Sequence, residues 1–184
     1  MTKLALLDRD GVLNVDRPDS VRHPDELEMI AGAARALARL NRAGWRTALV
    51  SNQSVVGRGV IDEAMLARIQ DKLRAELERE GAHLDAMFVC TDAPGTPSAR
   101  RKPAPGMLLE ALARFGADPA STPMIGDDLR DLHAARQAGC ARVLVLTGKG
   151  ATTLRGLTPE LDPVVVHPDL AGAVEALLAE GVPS

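Results

Sequence analysis

The sequence has very few aromatic residues, with two phenylalanines, one tryptophan and no tyrosine among its 184 residues. It also lacks an excess of basic residues, and its net charge at pH 7 is −3. Proteins that bind nucleic acid usually present a basic face, and many stack bases on aromatic rings. The composition therefore argues against a nucleic-acid partner.

Cysteines and long apolar runs are scarce as well. The only cysteines are Cys90 and Cys140, which do not suggest a disulfide framework and suit a reducing compartment. No apolar run approaches the roughly 18 residues of a membrane helix. The apolar stretch near the N-terminus is too short for a signal peptide. We therefore expect a cytoplasmic protein without a membrane partner.

Short apolar runs alternate with helix-like segments along the whole chain. Strands are predicted at 3–7, 45–50, 86–90, 123–126, 141–146 and 164–166. Helices are predicted at 31–43, from Asp62 to just before Gly81, and at 106–115, 129–138 and 170–178. This alternation implies parallel strands joined by right-handed crossovers. The predicted fold is α/β: a doubly wound, mostly parallel, Rossmann-like sheet with helices on both faces, formed by residues 1–184 as a single domain.

Two aspartates, Asp8 and Asp10, follow the first predicted strand directly. A buried strand that ends in acidic residues and glycine places them at the carboxyl edge of the sheet, where open α/β sheets bind ligands. Two carboxylates so close together cannot both ionise comfortably, so we expect one acid and one anion. Such a pair suits a carboxylate nucleophile beside a general acid.

Three later motifs are expected at the same edge of the sheet. They are Ser51-Asn52-Gln53 after the second strand, Arg101-Lys102-Pro103 before a helix, and Gly126-Asp127-Asp128, with Asp131, after the fourth strand. Each motif alone is common in turns. Together they supply carboxylates, a hydroxyl group and a lysine, and this set suits phosphoryl transfer with Mg²⁺.

The motifs resemble those of the haloacid dehalogenase (HAD) superfamily of aspartate-nucleophile phosphatases, led by Asp8-Arg9-Asp10-Gly11-Val12-Leu13-Asn14. The resemblance extends over nearly the whole chain. It implies that Asp8 is the nucleophile and that Asp10 is the general acid and base. It also implies that Asp8, the backbone carbonyl of Asp10, and Asp127 hold Mg²⁺.

The same resemblance assigns the remaining polar residues to the substrate and to the surroundings of the metal. Ser51 and Asn52 are expected at the phosphoryl group, and Lys102 is expected to balance the charge between Asp8 and phosphate. Arg58 and Arg101 are our candidates for contact with the rest of the substrate, because guanidinium groups suit phosphate. Either Asp128 or Asp131 is expected to lie next to the residues that bind the metal ion and to help hold them in place.

Within the superfamily, residues 51–54, 57–59, 101–107 and 147–149 are similar to those of heptose-bisphosphate phosphatases and of histidinol-phosphate phosphatases. The implied activity removes phosphate from a sugar bisphosphate. The first choice of substrate is the C7 phosphate of D-glycero-D-manno-heptose 1,7-bisphosphate, and histidinol phosphate is the alternative. The resemblance also implies a monomer with a small phosphorylated substrate, acting in carbohydrate metabolism and lipopolysaccharide biosynthesis.

The spacing of the motifs leaves no room for an inserted cap domain, so the loops at 15–30, 55–61 and 91–101 are expected to shield the site. Both related families often carry a zinc-binding loop with several cysteines and a histidine before the Arg-Lys-Pro motif. Residues 90–100 contain only Cys90 and no histidine. Structural zinc needs four nitrogen or sulfur ligands, so no zinc is predicted.

Two other functions use similar residues. A receiver-type phosphoacceptor domain also places carboxylates, a hydroxyl group and a lysine around Mg²⁺ on a doubly wound sheet. Here, however, the acceptor aspartate lies on the first strand, and Asp10 would promote turnover rather than a lasting signal. A catalytically inactive sugar-phosphate-binding protein is disfavoured because the sequence has a reactive residue at every position where the phosphatase mechanism needs one.

Overall fold

The computed structural model describes residues 2–183, whose six strands form one sheet with parallel pairing throughout. The strands are β1 (Leu4–Leu7), β2 (Arg46–Asn52), β3 (Ala86–Cys90), β4 (Pro123–Gly126), β5 (Ala141–Val145) and β6 (Val164–His167). Their order across the sheet is β3-β2-β1-β4-β5-β6. This order is of the Rossmann type and agrees with the doubly wound, Rossmann-like sheet that the sequence predicts. The sheet is wholly rather than mostly parallel.

Seven α-helices connect and flank the strands in the described residues. They are α1 (Ala33–Arg42), α2 (Ser54–Gly57), α3 (Glu63–Arg79), α4 (Gly106–Phe115), α5 (Leu129–Ala138), α6 (Gly150–Arg155) and α7 (Leu170–Glu180). The sequence predicts all of them except α2 and α6, which are too short to show a helical periodicity. Within residues 2–183 no helix is both long and apolar enough to span a membrane.

Helices cover both faces of the sheet, as predicted. Residues of α1, α3 and α7 pack on one face with Ala5 and Leu7, and residues of α4 and α5 pack on the other with Leu4 and Leu6. Side chains alternate between the faces along a strand. A central strand covered on both sides is therefore apolar at every position. No cap domain is inserted among the elements of the described chain.

Strands β2 and β3 are added on one side of β1, and β4, β5 and β6 are added on the other, so the strand order reverses between β1 and β4 at the centre of the sheet. Leu7 pairs with Ile125 in the register, and the backbone N–H of Asp8 donates to the carbonyl oxygen of Ile125 at 3.0 Å. Loops that leave neighbouring strands at such a point diverge to opposite faces and open a crevice. Asp8 and Asp127 therefore begin neighbouring loops at this crevice.

The start of α5 directs a further carboxylate inward. Asp128 caps this helix by accepting from the backbone N–H of Arg130 at 3.0 Å. Asp131 accepts in return from the N–H groups of Asp127 at 3.2 Å and Asp128 at 3.1 Å. This reciprocal cap satisfies donors that a helix N-terminus leaves unpaired, and it fixes Asp131 behind the crevice.

Candidate active site

A cleft at the carboxyl edge of the sheet brings together the residues that the motifs predict. Asp8, Asp10 and Asp127 line it on the acidic side, and the other predicted residues on its wall are Asn52, Arg58, Arg101 and Lys102. Ser51 lies beneath this surface and is 1% exposed. Four motifs that are distant in sequence therefore converge at one place.

Three carboxylates form the floor of the cleft. One oxygen atom from each of Asp8, Asp127 and Asp131 lies within 4.8 Å of the others. Burial, and then the charge of Asp8, raises the pKa of Asp127 to about 8. Burial also raises the pKa of Asp8 to about 7, against the opposing charge of Lys102. The negative charges of these carboxylates repel one another, and a cation bound between them would relieve the repulsion. Carboxylate oxygens are the ligands that a hard divalent cation such as Mg²⁺ prefers.

Lys102 is the buried cation of the cluster. Its Nζ lies 2.6 Å from Asp131 Oδ1 and 3.1 Å from Asp8 Oδ1, and it donates to the carbonyl oxygen of Val50 at 2.7 Å. Burial lowers the pKa of this amine, but the two carboxylates outweigh burial and raise it above its ordinary value. All three protons of the ammonium group therefore have an acceptor.

The loop after β5 and the helix α6 that follows it hold Asp127 in place. The backbone N–H of Lys149 donates to Asp127 Oδ2 at 2.8 Å, and the hydroxyl of Thr153 donates to the Asp127 carbonyl at 2.7 Å. Gly11 and Gly148 pack against the same carboxylate with φ angles of +82° and +57°. A Cβ atom at either position would collide with Asp127 Oδ2, so this contact requires glycine on both sides.

Asp10 accepts hydrogen bonds from three side chains. Arg9 Nη2 lies 3.0 Å from Oδ1 and 3.1 Å from Oδ2, Asn14 Nδ2 lies 2.9 Å from Oδ1, and Gln53 Nε2 lies 2.8 Å from Oδ2. Burial alone would raise the pKa of Asp10. The charge of Arg9 and these hydrogen bonds outweigh burial and lower it.

The two aspartates of the first motif therefore divide differently from the sequence-based expectation. The expected pair was an ionised nucleophile beside a general acid, whereas without a metal ion the pKa is raised at Asp8 and lowered at Asp10. Burial raises the pKa of Asp8, although the backbone N–H of Arg9 donates to its Oδ1 at 2.7 Å. The guanidinium of Arg9, a side chain that is 1% exposed, pairs with Asp10 instead and lowers the pKa there. Arg9, Asn14 and Gln53 stand inside the quoted motifs, yet sequence reasoning gave them no role.

Ser51 and Asn52 are the last residues of β2 rather than the first of a loop, since this strand runs two residues beyond the predicted end. Asn52 Nδ2 donates to the Lys102 carbonyl at 2.9 Å, and its Oδ1 accepts from the Lys102 N–H at 3.0 Å. This pair of hydrogen bonds fastens the second motif to the third. The expected contact of Asn52 with phosphate stays a prediction.

Cations crowd the outer part of the cleft. Arg58 Nη2 lies 3.5 Å from Ser20 Oγ, and Arg101 Nη1 donates to the Asp92 carbonyl at 3.0 Å. Burial lowers the pKa of Arg101, as do the charges of Arg130 and Arg58. Such a group of like charges attracts an anionic ligand.

Arg130 and Lys149 also line the cleft, although the sequence did not single them out as site residues. Arg130 Nη2 pairs with Asp128 Oδ2 at 2.8 Å, and Lys149 Nζ lies 3.6 Å from the same oxygen. Asp128 thus accepts from the helix N-terminus and pairs with these cations, whereas Asp131 belongs to the acidic floor and contacts Lys102 there. The two candidates for the surroundings of a metal ion therefore lie in different environments.

Hydrogen bonds hold the loop that follows β3. Cys90 Sγ lies 3.3 Å from Asp92 Oδ2 and 3.7 Å from Ser98 Oγ. Ser98 Oγ accepts in turn from the backbone N–H groups of Arg100 at 3.2 Å and Arg101 at 3.0 Å. These contacts connect both ends of the loop without a metal ion, and the prediction of no zinc remains to be tested.

The fold and this cleft define the class of HAD-like hydrolases. A family model described as HAD-hydrolase-like matches residues 99–173. The D-glycero-β-D-manno-heptose-1,7-bisphosphate 7-phosphatase of Bordetella bronchiseptica is 46% identical over 179 residues, covering 97% of this chain and 99% of that protein. The enzyme of the same name from Pseudomonas aeruginosa is 39% identical, covering 95% and 97%. The chain therefore belongs to the family of D-glycero-β-D-manno-heptose-1,7-bisphosphate 7-phosphatases.

Solved structures agree with this family membership. The D,D-heptose 1,7-bisphosphate phosphatase from B. bronchiseptica, complexed with magnesium and phosphate, superposes with a TM-score of 0.93 at 45% identity, covering 97% of this chain and 99% of that one. The enzyme from Burkholderia thailandensis has a TM-score of 0.76 at 37% identity, covering 97% and 100%.

The carboxylate cluster predicts a pH-dependent stability for the protein stripped of divalent metal with EDTA. Asp8 and Asp127 have pKa values of about 7 and about 8 in the folded state, against roughly 3.9 in an unfolded chain. The folded state therefore binds more protons between about pH 5.5 and 8.5, and its stability decreases as the pH rises. We expect Tm in scanning calorimetry to fall by several degrees across this range.

Added Mg²⁺ should raise Tm more at the upper end of this pH range than at the lower end, because the ion competes with protons for the same carboxylates. The double substitution Asp8→Asn and Asp127→Asn should flatten the dependence on pH. A Tm that is constant or increases with pH in the EDTA-treated protein would contradict the assignment.

The loop after β3 generates a second prediction. Because its only nitrogen or sulfur ligand of the usual zinc-binding kind is Cys90, purified protein should contain far less than one zinc ion per chain by mass spectrometry of metals. Cys90→Ser should leave both the zinc content and the activity unchanged. Stoichiometric zinc that Cys90→Ser removes would show the prediction to be wrong.

Proposed function

We propose that this protein is a Mg²⁺-dependent phosphatase that removes the C7 phosphate from D-glycero-D-manno-heptose 1,7-bisphosphate through an aspartyl-phosphate intermediate. The observation that carries the proposal is the contact of Asp8 with Lys102, at 3.1 Å, beside the carboxylates of Asp127 and Asp131. A nucleophile, a charge-balancing amine and a cation-binding cluster are thereby within reach of one phosphoryl group.

In the first step Asp8 attacks phosphorus, the bond from phosphorus to the C7 oxygen breaks, and the leaving oxygen takes a proton from Asp10. Water then attacks the phosphorus of the intermediate and gives a proton back to Asp10. This second attack breaks the bond to Asp8 and releases inorganic phosphate. Asp10 is therefore protonated again at the end of the cycle, as it was at the start of the first step.

The lowered pKa of Asp10 fits this cycle if the proton arrives with the substrate. A phosphate monoester has a second pKa of about 6, so part of the substrate at neutral pH carries a proton. The phosphoryl charge beside Asp10 also raises the pKa of that carboxyl group. Between the two steps, an ionised Asp10 is the form that can accept a proton from water.

The donor set of the acidic floor fits Mg²⁺, which prefers carboxylate and carbonyl oxygens. Asp8, Asp127 and the backbone carbonyl of Asp10 would hold the ion. When bound, it would neutralise charge on Asp8 and on the phosphoryl oxygens. Ser51, Asn52 and Lys102 would contact the same phosphoryl group from the side of β2.

The cations of the outer cleft support a substrate with a second anionic group. Arg58 and Arg101 are the predicted contacts, and both line the cleft together with Arg130 and Lys149. A second phosphate at the far end of a sugar would meet this basic region, whereas the far end of histidinol phosphate is cationic. This difference favours the bisphosphate over histidinol phosphate.

The wider setting belongs to the same proposal. Residues 1–184 act as a single domain and as a cytoplasmic monomer in carbohydrate metabolism and lipopolysaccharide biosynthesis, with a small phosphorylated substrate and without nucleic-acid or membrane partners. The named relatives are phosphatases, and this argues against the receiver-type alternative.

Substitution of the two aspartates tests the mechanism. Asp8→Asn should reduce kcat to the background of the assay, because the nucleophile is lost. Asp10→Asn should lower kcat about 10²–10⁴-fold and leave a phosphoenzyme that can be trapped by acid quenching. Asp71→Asn, at a carboxylate that is 73% exposed on α3, is the matched control and should keep full activity. Hydrolysis that survives Asp8→Asn would rule out the proposed nucleophile.

A substrate panel tests the specificity. With Mg²⁺ present, kcat/KM for the heptose 1,7-bisphosphate should exceed that for histidinol phosphate by at least about 10²-fold, since charge–charge contacts at the far end differ in sign. Arg101→Met should narrow this difference mainly by lowering kcat/KM for the bisphosphate. A preference for histidinol phosphate would overturn the choice of substrate while leaving the phosphatase mechanism in place.

A further inference from the structure

Gln53 lies between two groups that the proposed mechanism uses. Its side-chain Nε2 donates to Asp10 Oδ2 at 2.8 Å and to Ser51 Oγ at 2.9 Å. A side-chain amide nitrogen carries two protons, and here each proton has a functional group as its acceptor. The residue is 3% exposed, so water does not compete for these contacts.

The orientation of the amide follows from its neighbours. Asp10 already accepts from Arg9 and Asn14, and an ionised carboxylate can only accept hydrogen bonds. The amide must therefore turn its nitrogen, and not its oxygen, toward Asp10. The same nitrogen then meets Ser51.

The main chain of Gln53 is equally constrained. Its backbone N–H donates to the carbonyl of Cys90 at 2.7 Å, which joins it to the end of β3. Gln53 precedes α2 in the position of an N-cap, yet its side chain makes no capping hydrogen bond to that helix. Its polar side chain is thus directed to the cleft and not to local secondary structure.

The consequences differ at the two acceptors. Ser51 has one hydroxyl proton and two lone pairs, and because Gln53 donates to a lone pair, the proton of Ser51 stays available for another acceptor. At Asp10, the contact with Gln53 fills the second site on Oδ2, after Arg9. One amide therefore restricts the donor direction of the Ser51 hydroxyl and, together with Arg9 and Asn14, the rotation of the Asp10 carboxylate.

We propose that Gln53 is a positioning residue that holds the phosphate-binding hydroxyl of Ser51 and the acid–base carboxylate of Asp10 in one geometry before the substrate binds. This inference rests on the proposed function, because it uses the roles given there to Ser51 and Asp10. It adds a residue that joins the phosphate-binding group to the proton-transfer group.

Gln53→Met tests the inference, since methionine has a similar length and volume but neither donor. Two substrates are compared by kcat/KM, which reports the step up to phosphorylation of the enzyme. The leaving group of p-nitrophenyl phosphate departs without protonation, whereas that of the heptose bisphosphate needs the proton of Asp10. We expect a loss of about 10²-fold on the bisphosphate, within the range of acid–base catalysis, and of no more than about 10-fold on p-nitrophenyl phosphate.

A role in stability alone would lower both rates by the same factor, and no role would leave both unchanged; either result would overturn the inference. In the Asp10→Asn background, Gln53→Met should no longer distinguish the two substrates, because coupled residues are not additive. Gln70→Met on α3 is the matched control, and neither rate should change.

Two checks distinguish a wrong inference from an unfolded variant and from a wrong proposed function. Calorimetry establishes that Gln53→Met is folded, and if it is not, Gln53→Asn keeps the amide but shortens its reach, so it should give the same selective loss. If the wild-type protein hydrolyses neither substrate, the proposed function fails. If it hydrolyses the bisphosphate alone, the loss caused by Gln53→Met is compared in the wild-type and Asp10→Asn backgrounds, and an equal loss in both would overturn the inference.

Discussion

The buried ammonium group of Lys102 is the contact on which the carboxyl edge of the sheet depends. Carboxylates at this edge are removed from water, and an uncompensated buried charge costs several kcal/mol. Lys102 compensates two of them, Asp8 and Asp131, and also donates a hydrogen bond to the Val50 carbonyl near the end of β2. It thereby connects β2, the loop after β1 and the start of α5. Removal of this one cation would leave Asp8 and Asp131 facing each other without a counter-charge.

The compensation is incomplete, and this has a chemical consequence. Asp8 and Asp127 keep raised pKa values despite Lys102, so the cluster still favours a further positive charge. Two residues from Asp8, the carboxylate of Asp10 has its own cation in Arg9 and needs none. Adjacent aspartates thus have opposite tendencies: Asp8 binds a proton or a cation readily, and Asp10 is held as an anion by side-chain donors. The proposed cycle needs the reverse assignment in its first step: Mg²⁺ would favour the ionised form of Asp8, and the phosphoryl charge would raise the pKa of Asp10.

The outer cleft is arranged differently from its floor. Without a cap domain, its walls are loops, and these carry arginine and lysine side chains that partly repel one another. Like charges at an open surface cost little when water screens them. An anionic substrate that displaces this water would gain attraction from several of them together. In the proposed function the floor serves the chemistry and the outer cleft serves recognition. Asn52 fastens the end of β2 to the backbone of Lys102, the residue that follows Arg101.

Much of the fold could be predicted from local patterns. The run Leu4–Leu7 is apolar at every position because both faces of β1 are covered, and the longer helices showed their periodicity and their glycine ends. The helices α2 and α6 have four and six residues and left no such pattern. The eight predicted site residues lie in or directly beneath one cleft. The strands are all parallel, so the loops that follow their carboxyl ends meet at one edge of the sheet.

The sequence by itself determined the order of strands and helices, the identity of the reactive groups and the edge at which they meet, since these follow from periodicity and from the geometry of parallel sheets. Only the tertiary structure decided which group pairs with which. Gln53 reaches Asp10 across 43 positions of sequence. Asp8 and Asp127 are neighbours only because β1 and β4 pair, and Lys102 joins them because its side chain is hydrogen-bonded to β2, which pairs with β1 on the other side. Pairings of this kind depend on distances of a few ångströms between distant segments, and no local pattern of residues records such distances.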